Sequence, residues 1–403
     1  MWSVGYQREL AQLRACIENA SRGQGQFVFI SGEVGIGKTT LIRRFLGDLP
    51  AQRSIRTAYG RCFAPGREGL GCLPVLEALS GLCRGSNGQH MLDLLRKRAP
   101  TWRDQMPAFN AASETELEAH EASDASFDRM LKELADFIEA CTAEQPLVLV
   151  LEDLHANGQM MAELINYLAR REKSAAFMLI ASYCNSPSLL KNHPLKLILP
   201  DLKARGACLH LSLAGLDEAA VGEFVTKRLP TAADPLQREI ARRLFDESEG
   251  NPLLMIQLMD HWAKSGVVDS LTETPDINTR FSDPQILIPE SVQEWVDASF
   301  ELLDPAEQRM LEAASVNGSA FSALMLAHAL GEDVVAVEEC CERLARQQQF
   351  LKSTPQERWP ERRSASRYAF THRLYQLALF RRLPIARRAR LHAGQTRARP
   401  LQN

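Results

Sequence analysis

The stretch FVFISGEVGIGKTT, Phe27 to Thr40, limits what this chain can fold into more than any other segment. Gln26–Ser31 is β-branched, aromatic and bounded by glycine, which predicts a buried strand. Gly32, Gly35, Gly37, Lys38 and Thr39 follow in the pattern G-x-x-x-x-G-K-[ST], and a helix is predicted from Lys38 to about Leu46. A strand running into a glycine-rich loop that opens a helix is the setting a phosphate-binding loop requires. Glycines let backbone N–H groups wrap a β-phosphate, and the helix start adds partial positive charge. In that setting Lys38 bridges β- and γ-phosphates, Thr39 ligates Mg2+ through its hydroxyl, and Thr40 continues the motif.

Such a loop needs a sheet behind it. Further strands are predicted at Ser54–Arg61, Pro146–Asp153, Ala175–Tyr183 and Ala207–Leu213. Helices are predicted at Glu9–Ala20, Pro74–Leu82, Met91–Lys97, Phe127–Thr142 and near Met160–Arg171. Apolar strands alternating with helices predict an α/β fold, a parallel sheet covered on both faces. The metal needs a second anchor, a carboxylate at the tip of a neighbouring strand. LVLVLED supplies Glu152 and Asp153 after a purely aliphatic run. One of the two orders Mg2+ and the other polarises the attacking water. Strand alternation puts them on opposite faces, so they are not interchangeable, and the sequence leaves the division of roles open.

Beyond Asp217 the pattern is helical, with EGNP as a break, and no further strand is predicted. The expected organisation is a P-loop nucleotide-binding domain at 1–213, a helical lid at 214–270, a Thr/Pro/Asp-rich linker at 271–288, a winged-helix-like domain at 289–380 and a basic helical tail at 381–403. The winged-helix expectation rests on helices followed by a Pro- and Arg-rich excursion. A net charge of −3 gives no global attraction to nucleic acid or anionic membrane. The charge is uneven, acidic over Ser113–Asp124 and basic over Arg381–Pro400. Nine cysteines without a CxxC pair read as reduced thiols, neither a disulfide framework nor a zinc site. The start MWSVGYQREL lacks a signal-peptide layout, and no apolar run approaches the ~20 residues that span a bilayer. The expectation is a cytoplasmic protein with no membrane partner.

SVGYQRELAQL, the phosphate loop, APTW, DRMLKELADFIEA, PLVLVLEDLH, EGNPLLM, LEAASVNGSAF and RYAFTHRLYQLALFRRLPIARRARLH occur in an order that extends over essentially the whole chain. In these motifs the chain resembles the STAND-type AAA ATPase modules of large bacterial regulators. Those modules are similar to the cores of MalT-like and LuxR-type activators and of apoptosome-type switches. The resemblance implies an ATPase sheet, a lid and a winged helix that close around ADP. It also implies opening and homo-oligomerisation on exchange for ATP, and a partner effector in signal transduction or transcription regulation. Val4 and Gly5 match the start of the family's VGR element, whose backbone lies near adenine. Gly32 to Thr40 match the phosphate loop, and Glu152 and Asp153 the acidic pair. Pro252 matches the lid proline that packs on the base; alternatively it simply starts a helix. His372 matches the winged-helix histidine that reaches the ADP β-phosphate; alternatively it is a packed core residue.

Three family positions differ. Tyr6 stands where VGR carries arginine, Ala156 and Gly158 replace the Trp and Asp of the HW[AS]D turn, and Cys184 replaces the arginine that ends the fourth strand. An arginine acting on a phosphoryl transition state counts for ~10³ or more in rate. The expectation is therefore ATP or ADP binding with Mg2+ and slow or impaired hydrolysis. Arg170 and Arg171 read as ordinary cations at a helix end rather than as an arginine finger. The alternative function is direct DNA binding through the winged helix and basic tail. A metabolic kinase is not favoured, since no acceptor-substrate constellation is recognisable.

Overall fold

The computed structural model describes residues 4–49, 55–62, 72–85, 87–106, 124–154, 159–171, 175–185, 193–265, 288–347, 350–354 and 366–396. It divides into two compact units, one of Tyr6–Asn185 with Leu189–Ala214, the other of Met1–Gly5, Ser186–Ser188 and Gly215–Asn403.

The first unit runs α1 (Gln7–Ser21), β1 (Gln26–Gly32), α2 (Lys38–Gly47), β2 (Arg56–Arg61), α3 (Leu73–Arg84), α4 (Gly88–Arg98), α5 (Pro100–Asp104), α6 (Asp124–Thr142), β3 (Leu147–Glu152), α7 (Gln159–Ala169), β4 (Phe177–Cys184), α8 (Leu195–Ala204) and β5 (Leu209–Ser212). The strands form one sheet in the order β2-β3-β4-β1-β5, with every pairing parallel. This confirms the expected α/β fold. Helix α8 was not predicted; Pro200 lies inside it and reads in the sequence as a breaker.

Residue parity along the strands sets the two cores. Phe27, Phe29, Leu147, Leu149, Leu151, Phe177, Leu179 and Ala181 face one layer, with side chains from α3, α4, α6 and α7. Val28, Ile30, Val148, Val150, Met178 and Ile180 face the other, with Leu10, Leu13, Leu41, Ile42 and Phe45 of α1 and α2. Both faces are thus apolar, which is why the central strands read as continuous hydrophobic runs. The same parity carries past the last apolar residue. Glu152 and Cys184 fall on the face that holds α2, the helix opened by the phosphate loop.

The second unit contains α9 (Glu218–Arg228), α10 (Asp234–Ser248), α11 (Pro252–Lys264), α12 (Glu290–Glu301), α13 (Pro305–Val316), β6 (Ala320–Ser322), α14 (Ala323–Leu330), α15 (Val334–Gln347), β7 (Leu351–Ser353), β8 (Arg367–Phe370), α16 (Arg373–Arg382) and α17 (Ile385–Thr396). The expectation of no strand beyond Asp217 is overturned. β6, β8 and β7 form an antiparallel sheet in that order, with Phe321 opposite Tyr368 and Leu351 opposite Phe370. The EGNP break is a left-handed turn. Glu249 and Gly250 have φ of 49° and 73°, and a Cβ on Gly250 would sit 2.1 Å from the Leu216 carbonyl oxygen. Asp304 starts α13 with a capping box, accepting from the Ala306 and Glu307 amides.

No described helix is long and apolar enough to cross a membrane. The expected linker at 271–288 lies outside the described residues except for Ile288, as do Ala156, Gly158, most of the acidic stretch and residues 397–403 of the tail.

Candidate functional site

The loop between β1 and α2 has the backbone its glycines predict. Gly35 and Gly37 have φ of 79° and 100°, values that L side chains rarely adopt. Gly37 caps α2 without a side-chain hydrogen bond, so the first amides of the helix have no intrahelical acceptor. Such free N–H groups at a helix start form an anion cradle. Lys38 is buried, and its Nζ donates to the carbonyls of Gly32 and Glu33, both at 2.8 Å. An ammonium has three donors, so one remains for a phosphate oxygen. Burial lowers the Lys38 pKa, opposed in turn by Cys184, Asp153, Glu152 and Glu33. Thr40 is exposed in the first turn of α2.

Thr39 and Glu152, distant in sequence, meet as the parity of β3 requires. The Thr39 hydroxyl donates to Glu152 Oε2 at 2.9 Å. Glu152 is fully buried, and among the described residues its Oε1 has no partner at hydrogen-bond geometry, although Tyr59 hydrogen-bonds the carboxylate. A buried carboxylate oxygen without a partner is costly. A hard divalent cation between it and the Thr39 hydroxyl would satisfy it, so this oxygen donor pair fits Mg2+.

Asp153 is placed differently. It leaves the strand with φ of 59°, its amide donates to Ser182 Oγ at 3.2 Å, and its carboxylate is held by Arg61. Arg61 Nε and Nη2 both lie 3.0 Å from Asp153 Oδ2. The two acids therefore have distinct surroundings, Glu152 on the loop face and Asp153 in an ion pair at the end of β2. Tyr59, two residues before Arg61, lies against Glu152; burial, then that carboxylate, push its hydroxyl up to about 12. Tyr59 and Arg61 were not singled out in the sequence. Their signal is the parity of RTAYGR, but it is readable only once β2 is known to pair with β3 in register, Arg61 opposite Glu152.

Cys184 pairs in register with Gly32 at the end of β4 and is buried, close enough to Lys38 to act on its charge. All nine cysteines are outside disulfides. Tyr6 precedes α1 in a left-handed conformation, and its hydroxyl shares its one proton between Ile36 O at 2.6 Å and Ala214 O at 3.0 Å, the shorter contact taking the larger share. Arg170 bonds Asn166 of α7 and Asp201 of α8, and Arg171 pairs with Asp136 and Glu139 of α6, so both are engaged by neighbouring helices.

The first unit thus gathers Gly32, Gly35, Gly37, Lys38, Thr39, Glu152 and Asp153. The remaining expected residues, Val4, Gly5, Pro252 and His372, belong to the second unit. There Gly5 lies against Leu216. Pro252 takes the first position of α11, behind an Asn251 cap that accepts from the Leu253 amide at 3.1 Å. His372 is buried and extended, and caps α16 by accepting from the Leu374 amide on Nδ1 at 3.1 Å.

The family model for the AAA ATPase domain matches residues 3–180. That stretch, under half of the chain, is similar to an AAA ATPase domain. No curated protein matches the sequence. Among solved structures, a Walker-type ATPase of Pyrococcus abyssi is similar at 14% identity and a TM-score of 0.51, over 94% of this chain and 96% of that one. Drosophila ORC bound to DNA is similar at 14% identity and a TM-score of 0.41, over 95% of this chain and 88% of that one. A STAND protein with a tetratricopeptide repeat sensor from Pyrococcus horikoshii is similar at 14% identity and a TM-score of 0.37, over 99% of this chain and 46% of that one. The first likeness supports the fold. The loop and Glu152 lie at the carboxyl ends of parallel strands, where ligands bind in open α/β sheets.

Proposed function

We propose that this chain is an ATP/ADP-binding switch module of the STAND type, serving signal transduction or transcription regulation, with slow ATP hydrolysis. The observation that carries the nucleotide reading is the buried Glu152 carboxylate bonded to the Thr39 hydroxyl at the mouth of the loop, its Oε1 without a partner among the described residues. In this reading the loop amides and Lys38 hold the β- and γ-phosphates, and Thr39 and Glu152 hold Mg2+. The bound metal supplies charge compensation between those phosphates. Asp153 is the candidate general base. Its carboxylate is already engaged by Arg61, and position 184 holds a cysteine where the resembled family carries arginine, so both features support slow turnover.

The order α13-β6-α14-α15-β7-β8 supports the winged-helix reading of the second unit. Val4 and Gly5 are proposed to meet the base, with Pro252 packing on it and His372 reaching the β-phosphate. Homo-oligomerisation in the ATP state and an effector partner complete the proposal. The DNA-binding alternative is weaker, because α17 uses its arginines internally. Arg387 pairs with Glu312 at 2.6 Å, and Arg388 donates to the carbonyls of Leu383 and Arg381.

The Glu152→Gln variant tests the metal site. It keeps the shape and an acceptor for Thr39 but removes the charge. ATP titrations of the parent are expected to weaken at least tenfold when Mg2+ is chelated, a loss of about 1.4 kcal/mol. The variant is expected to show little response to Mg2+. A full Mg2+ response in Glu152→Gln overturns the assignment.

A further inference from the structure

We infer that Tyr6 is a positioning residue for the phosphate loop, aiming the Gly37 amide at the bound β-phosphate; this rests on the nucleotide-binding reading above. The Tyr6 hydroxyl sits between two carbonyls, Ile36 O inside the loop and Ala214 O just after β5, where the chain leaves the first unit. The shorter of the two bonds, 2.6 Å, goes to the loop.

The reason this matters lies in the peptide plane. Ile36 C=O and Gly37 N–H belong to one trans peptide, so they point in opposite directions. A donor that fixes the carbonyl on the Tyr6 side fixes the amide on the other side. Gly37 has φ of 100° and caps α2, so its backbone has no side chain to bias this plane. The turn behind it is closed by a long bond, from the Ile36 amide to Glu33 O at 3.4 Å, a weak restraint. The hydroxyl of Tyr6 is the stronger one.

The second acceptor anchors the strut. The Leu213 amide donates to Ser31 O at 2.8 Å, extending the β1–β5 pairing to the residue before Ala214. Tyr6 therefore ties a flexible-backbone loop to the rigid end of the sheet. Burial first, and Glu9 second, raise the Tyr6 pKa above its ordinary range, so the hydroxyl keeps its proton throughout neutral pH. The position where the resembled family carries an always-charged arginine here holds a neutral donor directed at the loop backbone.

The test is the full chain carrying Tyr6→Phe, which deletes one oxygen and leaves the ring. Three readings are compared with the parent: ADP affinity by calorimetry, the phosphorus NMR resonance of the bound β-phosphate at saturating ADP, and the melting temperature without nucleotide. The expected result is ADP binding weakened about three- to tenfold, as for one lost hydrogen bond. The β-phosphate resonance is expected to move while the melting temperature stays at the parent value. Unchanged affinity overturns the inference. So does weaker binding that comes with a lower melting temperature and an unmoved β-phosphate resonance, since the ring contact would then be structural only. A parent that binds ADP while the variant binds it equally well sinks this inference alone; a parent that binds no ADP sinks the nucleotide reading as well.

Discussion

Lys38→Ala is expected to weaken ADP and ATP binding at least tenfold. The ammonium is buried, and it donates to the loop carbonyls of Gly32 and Glu33 at the mouth of the cradle. Truncation removes one charge-assisted bond to phosphate. It also leaves two carbonyl oxygens without their donor, facing an anion. A hydrogen bond to a charged group contributes about 1.5–3 kcal/mol, which corresponds to roughly 10- to 150-fold in affinity. Titration of a fluorescent nucleotide against parent and variant reads this directly. Equal affinities would mean that the loop binds its ligand without the lysine, and the proposed phosphate contacts would be wrong.

A comparable loss, this time of stability, is expected for Arg373→Ala in the second unit. Glu247 on α10 is fully buried. Its Oε1 accepts from Arg373 Nη1 at 2.6 Å and lies 3.4 Å from Arg243 Nη2. Burial raises the Glu247 pKa, opposed first by Arg373 and then by Arg243. Removing the nearer cation leaves a buried carboxylate with its weaker partner, a change that typically costs about 3–5 kcal/mol. The lower end is expected, because Arg243 remains and Arg373 is partly open to solvent. The pH dependence has a definite sign. A carboxyl whose folded pKa lies above its unfolded one costs stability at neutral pH, and that cost vanishes as pH falls to the unfolded value near about 4.3. The deficit of the variant should therefore shrink between neutral and mildly acidic pH. Hydrogen exchange in α10 and α16 at two pH values measures it. A deficit independent of pH would assign the loss to packing rather than to the buried charge.

The contrast between the two units shows what a sequence makes legible. The parallel sheet was readable because its strands are buried on both faces and stand out as aliphatic runs, each followed by a helix. Even the partnership of Thr39 with Glu152 follows from alternation once β3 is placed beside β4. The grip of Arg61 on Asp153 does not follow, since it depends on β2 lying next to β3, a neighbour relation that no local pattern encodes. The short strands β6, β7 and β8 were missed for a related reason. Three or four residues carry too little alternation to register, and Phe321 finds Tyr368 only across the intervening helices. His372 is extended and serves as a cap, a role the sequence did not point to, because an imidazole nitrogen can accept the amide that a helix start leaves open. Tyr6 registered in the sequence only as a missing arginine. Its hydroxyl acquires meaning from two carbonyls, one thirty and one two hundred and eight residues away.

The central claim is that this chain holds a nucleotide and changes assembly with the number of its phosphates. Native mass spectrometry of the full chain with Mg2+ and, separately, ADP, ATP and a non-hydrolysable ATP analogue measures occupancy and assembly together. The predicted result is one nucleotide per chain in every case, with higher oligomers only for ATP and the analogue. Spectra showing the bare chain under all three conditions would contradict the account.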